Sequence, residues 1–267
     1  MFHVVDEAVS WLMIRVSRQA LLQAAALFFS ATLVSAQPQS ASPAADLPLD
    51  QIVAHVQEHA ALQSKELNGY VATRHYKVQY KGYATSISAE MVVEVHFDRS
   101  SGKSFRIISQ NGSKLLNDKV LKKALESEKE AAQDQNSTAL SPANYKFELT
   151  GKDALNGRPA YVLYVDPLQP GKFLYRGKVW IDAADFAIAK IEVEPSKNPS
   201  FWISHSKIEN TYGSTEGVWL PQINRSESRM RVGGAAVLTI DYGTYHVDLA
   251  ANRKAAQPLA AIRTELR

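Results

Sequence analysis

Two histidines and a glutamate stand in the order H-x-x-E-H at His55, Glu58 and His59. Residues four apart share one face of a helix. The two imidazoles could therefore ligate one zinc ion while Glu58 acts as general base, as in inverted zinc-peptidase motifs. Such a centre also needs a third protein ligand and a cleft built around it. Downstream the only other helical pattern is lysine-rich and offers no second acidic pair in a suitable setting. On a helical wheel His59 falls beside Ile52 and Val56, and His55 at the edge of that apolar stripe. The expectation is therefore of histidines that pack a helix, with no metal and no cofactor. A zinc hydrolase using His55, Glu58 and His59 stands as the alternative from a different functional class.

No other constellation for catalysis is present. The chain has no G-x-S-x-G elbow, no P-loop and no G-x-G-x-x-G after a strand, and its glycines are spaced as turn residues. In RSESRMR, Arg225, Glu227, Arg229 and Arg231 alternate with Ser226, Ser228, Met230 and Val232. The charges then form one solvated strand face, and the small, flexible opposite face suits a cavity wall as well as a core.

The elements that position these residues follow from patterning. Arg15 and Arg18 precede the apolar run Ala20 to Val34, which closes on Val34, Ser35 and Ala36. This reads as a secretory signal peptide over 1–36, with Met1 or Met13 as its start, so the mature protein is expected to be exported. A Pro/Ser/Ala-rich leader follows over 37–48. The chain has 267 residues, a formal net charge of +3 and no cysteine. Disulfides and thiolate metal sites are thereby excluded, and the mild charge without a basic stripe argues against nucleic acid.

Ile52, Val53, Val56 and Ala60 predict a helix from about Leu49 to Leu67, stopped by Asn68–Gly69. The period then changes to two. Tyr76, Val78 and Tyr80 alternate with polar residues, as do Met91, Val93, Val95 and Phe97. A second helix is expected over Asn117 to Ala132, with Val120, Leu121, Ala124 and Leu125 as its stripe. Strands resume from 145 to 249, the last read as one piece over 236–249, and residues 251–267 form a tail. The predicted fold is mainly β with two or three helices (α+β). It is one domain over 49–250, a strongly curved antiparallel sheet of nine or ten strands with helices on its concave face.

The stretches ALNGRPAYVLYVDP, RGKVWIDAADFAIAKIEVEP and GVWLPQINRSESRMRVGGAAVLTIDYGTYHV resemble the periplasmic lipoprotein-carrier superfamily, which includes LolA, LolB and RseB-like proteins. The architectural likeness runs over roughly 49–249, and the local likeness over 153–247. The resemblance implies an unclosed β-barrel whose apolar concave face takes acyl chains beneath a reversible helical lid, without catalysis. It implies a lipid or acylated lipoprotein as partner, peripheral membrane contact, and exchange with an inner- or outer-membrane protein. An RseB-like envelope-stress sensor that binds a membrane regulator is the alternative. The expected cavity, about 300–1,000 Å³, is walled by Met91, Val93, Val95 and Phe97, with Trp180, Trp219 and Met230 from the C-terminal half. Trp180 shares a strand face with Lys178, which leaves an outward position open. Arg99, just past β-strand residues 91–97, is the positional counterpart of a lid-holding arginine.

Overall fold

The computed structural model describes residues 46–250 apart from 134–137, 198–200, 202 and 232. The signal segment, most of the leader and the tail lie outside the described residues. Helix α1, Leu49–Glu66, carries Asp50 in its first turn and Lys65 in its last, both matched to the helix dipole, and buries Ile52, Val53 and Val56. It runs straight into β1, Leu67–Lys81. Asn68–Gly69 is therefore not a helix stop but part of the first strand. Gly69 is required by close approach, because a Cβ there would lie 2.5 Å from the Phe97 carbonyl oxygen.

Strands β2, Ser86–Asp98, and β3, Gly102–Gly112, follow. The second helical segment begins earlier than expected. Ser113 caps α2, Lys114–Leu116, by accepting from the Leu116 amide. A π-helical turn, Asn117–Leu121, then leads into α3, Lys122–Gln133. The buried Asn117 amide donates to the Asn111 and Ser113 carbonyls, 3.0 and 3.2 Å away, and so ties this turn to the end of β3.

The remaining strands are β4 (Tyr145–Leu155), β5 (Arg158–Pro167), β6 (Tyr175–Asp182), β7 (Ile188–Pro195), β8 (Ile203–Thr215), β9 (Val218–Met230), β10 (Ala235–Asp241) and β11 (Tyr245–Leu249). They form one eleven-stranded sheet in the order β3-β2-β1-β10-β9-β8-β7-β6-β5-β4, with β11 pairing β1. Neighbours are antiparallel, and β3 and β4 are not paired to each other, so the curved sheet is an open half-barrel. The segment expected as one strand over 236–249 is two. Gly243, at φ 60°, breaks it where a Cβ would meet the Thr73 carbonyl oxygen at 2.2 Å. β10 then pairs the second half of β1 and β11 the first.

The order explains the cover. The connection from β3 to β4 joins the two free edges, so α2, the π turn and α3 lie across the inner face. Leu116, Val120, Leu121, Ala124 and Leu125 pack there with Met91, Val93, Val95 and Leu238. Helix α1 crosses to the other half and packs Ile52, Val53 and Val56 with Tyr161, Leu163, Val179, Ile181 and Ile191. Each fully buried aliphatic side chain is worth about 1.5–3 kcal/mol. Between these apolar halves, β8 and β9 turn small polar side chains inward. Ser206, Asn210, Asn224, Ser226 and Ser228 are all buried. Among the described residues no helix is long and apolar enough to cross a membrane.

Candidate functional site

The inward row of β1 reads Tyr70, Ala72, Arg74, Tyr76, Val78, and all five are buried. One cation thus stands in a row of apolar and aromatic side chains, and Arg74 is 0% exposed. Its partner comes from the cover. Glu128 lies four residues after Ala124 and three after Leu125, on the apolar stripe of α3, and is 4% exposed. Arg74 Nη1 donates to Glu128 Oε1 and Oε2 at 3.0 and 2.9 Å, and Nη2 to the Tyr70 hydroxyl at 3.2 Å. Lys103 Nζ, from β3, donates to the same Oε1 at 2.9 Å. The guanidinium lies 4.7 Å from the centre of the Tyr242 ring, a cation–π contact. Tyr245 packs edge-on against Tyr70 and donates its hydroxyl to the Pro221 carbonyl at 2.7 Å.

Two cations therefore converge on one carboxylate away from water. Burial pushes the Glu128 carboxyl up, but the Lys103 ammonium and the Arg74 guanidinium overcome it and hold its pKa down at about 2. Burial likewise opposes the Lys103 charge, and Glu128 more than restores it. The Arg74 Nε and the Tyr76 hydroxyl are buried without a well-aligned hydrogen-bond partner, although the Arg74 side chain is the hydroxyl's neighbour.

The residues singled out from sequence fall in several places. Met91, Val93 and Val95 are at most 1% exposed and face the helical cover, and Phe97 packs partly buried beside Tyr70. Met230 is buried on the same inner face, with Ser226 and Ser228 before it, while Arg225, Glu227, Arg229 and Arg231 point outward. Trp180 does not wall the inner face. Val179 and Ile181 on either side of it join the α1 core, so alternation sends Trp180 outward, to pack with Ala160 and Val162. There its indole donates to Asp153 at 2.9 Å, with Lys190 over the ring. Trp219 is outward for the same reason, between the inward Val218 and Leu220, and donates to Asp185 at 3.0 Å.

Helix α2, the π turn and α3 cover Met91, Val93 and Val95. An apolar groove of about 510 Å³ lies where α1 meets β4, lined by Leu49, Val53, Ala54, Pro142 and Phe147. A second, of about 550 Å³, lies on the outer face and includes Arg158, Asp182, Lys190 and Trp219.

Arg99 donates through Nε to the Leu67 carbonyl at 3.1 Å and through Nη2 to the Lys65 carbonyl. It thereby stabilises the carbonyl end of α1, a favourable place for a cation. That end is continuous with β1, so Arg99 secures a joint. Buried ionic contact between sheet and cover comes from Arg74 and Lys103 on Glu128.

His55 is exposed, 3.5 Å from Glu58 and 4.5 Å from the Phe186 ring centre. His59 is half-buried, and its Nε2 has no hydrogen-bond partner. Among the described residues no group of three or more His, Cys, Asp or Glu is placed to hold a metal ion. Protein purified with zinc present is expected to carry substoichiometric metal by elemental analysis. One zinc per chain, lost in His55→Ala, would restore the hydrolase alternative.

No family model matches the chain, and no curated protein sequence matches it. Solved structures similar to it include the following three. An outer membrane lipoprotein-sorting protein domain from Vibrio parahaemolyticus is 11% identical, covering 76% of this chain and 95% of that one, at a TM-score of 0.38. A DUF1329 family protein from Desulfovibrio piger is 12% identical, covering 75% and 93%, at 0.39. A LolA superfamily protein from Nitrosomonas europaea is 10% identical, covering 78% and 97%, at 0.36.

Proposed function

We infer that this protein is a non-catalytic periplasmic module that holds a lipid or acylated ligand against the inner face of its half-barrel, beneath the helical cover. The observation that carries this reading is the inner face itself. Its apolar residues come from two separate halves of an open sheet and are sealed by helices, with the α2–α3 segment interrupted by a π turn. Single π turns inside helices occur frequently at functional sites. If the cover lifts there, Met91, Val93 and Val95 become a continuous apolar wall. Each acyl methylene laid on it would contribute about 0.8 kcal/mol. The groove between α1 and β4 offers an apolar opening on the other half. In this reading the ligand's donor and acceptor are other components of the cell envelope.

Native mass spectrometry of protein expressed in a periplasm tests the reading, and bound lipid is the expected result. Val93→Phe locates the site. The extra ring overpacks the closed core at a cost of about 1–3 kcal/mol and occupies space that an acyl chain would use. The folded variant, verified by circular dichroism, is expected to carry much less lipid than wild type. Equal lipid content would remove the β1–β3 face from the site, and absence of lipid from wild type would sink the reading.

A further inference from the structure

The inner face is more polar than an acyl chain requires. Asn210, Asn224, Ser226 and Ser228 are buried there, and the Asn210 Oδ1 has no hydrogen-bond partner. Nor do the Arg74 Nε and the Tyr76 hydroxyl on β1 meet a well-aligned partner. A face built only for hydrocarbon gains nothing from such groups, since each unpaired buried polar atom is costly.

Arg74 and Lys103 place charged nitrogens 2.9–3.0 Å from the same carboxylate, with the Tyr70 hydroxyl on the other arm of the guanidinium. This arrangement matches the recognition of a carboxylate or phosphate by arginine and lysine. Both cations belong to the sheet, and the only anion among them belongs to α3. Lifting α3 would withdraw Glu128 and leave both cations without their anion.

Resting on the amphiphile-binding reading above, we propose that Arg74 and Lys103 form the recognition site for the anionic head of an amphiphilic ligand, a carboxylate or phosphate, and that Glu128 is its resident stand-in. Ligand and cover exchange one anion for another. An anionic amphiphile offsets the cost of uncovering Arg74, and an uncharged one of equal chain length does not. Opening is thereby coupled to the charge of the ligand. The Arg74 Nε and Tyr76 hydroxyl, neighbours that make no well-aligned hydrogen bond beneath the cover, supply donors for a head group larger than one carboxylate.

Binding of palmitate, palmitoyl lysophosphatidate, uncharged monopalmitoylglycerol and inorganic phosphate to the full mature chain tests this. Palmitate or lysophosphatidate, and whichever of them is the better match, is expected to bind at least about tenfold more tightly than monopalmitoylglycerol, the least that a charged hydrogen bond is worth. Glu128→Gln removes the internal competitor and is expected to widen that preference. Arg74→Met and Glu128→Met in one chain replace the pair by apolar side chains of similar size and are expected to weaken the preference, and adding Lys103→Met to them is expected to abolish it. Equal binding of charged and uncharged amphiphiles, or a preference that survives the triple change, overturns the proposal and leaves the lipid reading standing. Failure of all three amphiphiles overturns both. Inorganic phosphate binding as tightly as the amphiphiles would show an anion site unrelated to a lipid head.

Discussion

Glu128→Ala is expected to cost about 3–5 kcal/mol of stability, the usual consequence of removing one partner of a buried ion pair. The cost comes less from a lost attraction than from what stays behind. Arg74 is 0% exposed, and its guanidinium cannot lose its proton or reach water. Lys103 is better placed, with 18% of its side chain exposed, and its flexible stem can carry the ammonium outward. Arg74→Met with Glu128→Met should fare quite differently. Apolar replacement of both partners is often neutral or stabilising, so the double variant is expected to lie within about 2 kcal/mol of wild type. Urea unfolding of the three proteins at neutral pH decides the matter. A single variant within about 1 kcal/mol of wild type would mean that water already reaches Arg74, since an exposed pair is worth no more than that. A double variant as damaged as the single one would mean that α3 needs the pair for its position, not merely charge balance.

Both members of this pair break a local pattern that can be read without coordinates. Counting back in twos from Tyr80, Val78 and Tyr76 puts Arg74 on the apolar face. Counting on from Ala124 and Leu125 puts Glu128 on the apolar stripe. Each alone looks like an exception, and only the fold joins residues 54 positions apart. Signals confined to one element were the readable ones. The alternation of RSESRMR and the inward set Met91, Val93 and Val95 follow from strand geometry and need no neighbour. What failed depended on another strand. Asn68–Gly69 resembles a turn, yet the glycine is there because the Phe97 carbonyl passes close by. Gly243 splits an apparently continuous strand because of Thr73, on a strand far away in sequence. Trp180 was drawn inward by its hydrophobicity. Alternation with Lys178 pointed outward, and Asp153, Lys190 and Val162 together give an indole a sheltered place there.

Acid is expected to weaken the protein through the same carboxylate. Glu128 titrates at about 2 when folded, against an ordinary value of 4.5, because Lys103 and Arg74 outweigh its burial. A depressed carboxyl favours the native state above its unfolded pKa, and the unfolded chain takes up the proton first as pH falls. The contribution, about 3 kcal/mol at the ordinary exchange of pKa for free energy, is therefore complete above about pH 5.5 and fades between there and about pH 2. Other carboxylates are also held low, among them Asp182 by Arg158 against its own burial, so the whole molecule will lose stability in acid. The comparison that isolates Glu128 sets wild type against the Arg74→Met, Glu128→Met chain, which keeps every other carboxylate. Between pH 5.5 and pH 2.5 wild type is expected to lose about 2–3 kcal/mol more than the double variant in urea unfolding. Parallel acid profiles would show that Glu128 is not held low by its two cations. The stand-in role would then lose its electrostatic basis, because a carboxylate that protonates easily has no claim on Arg74 that a ligand must displace.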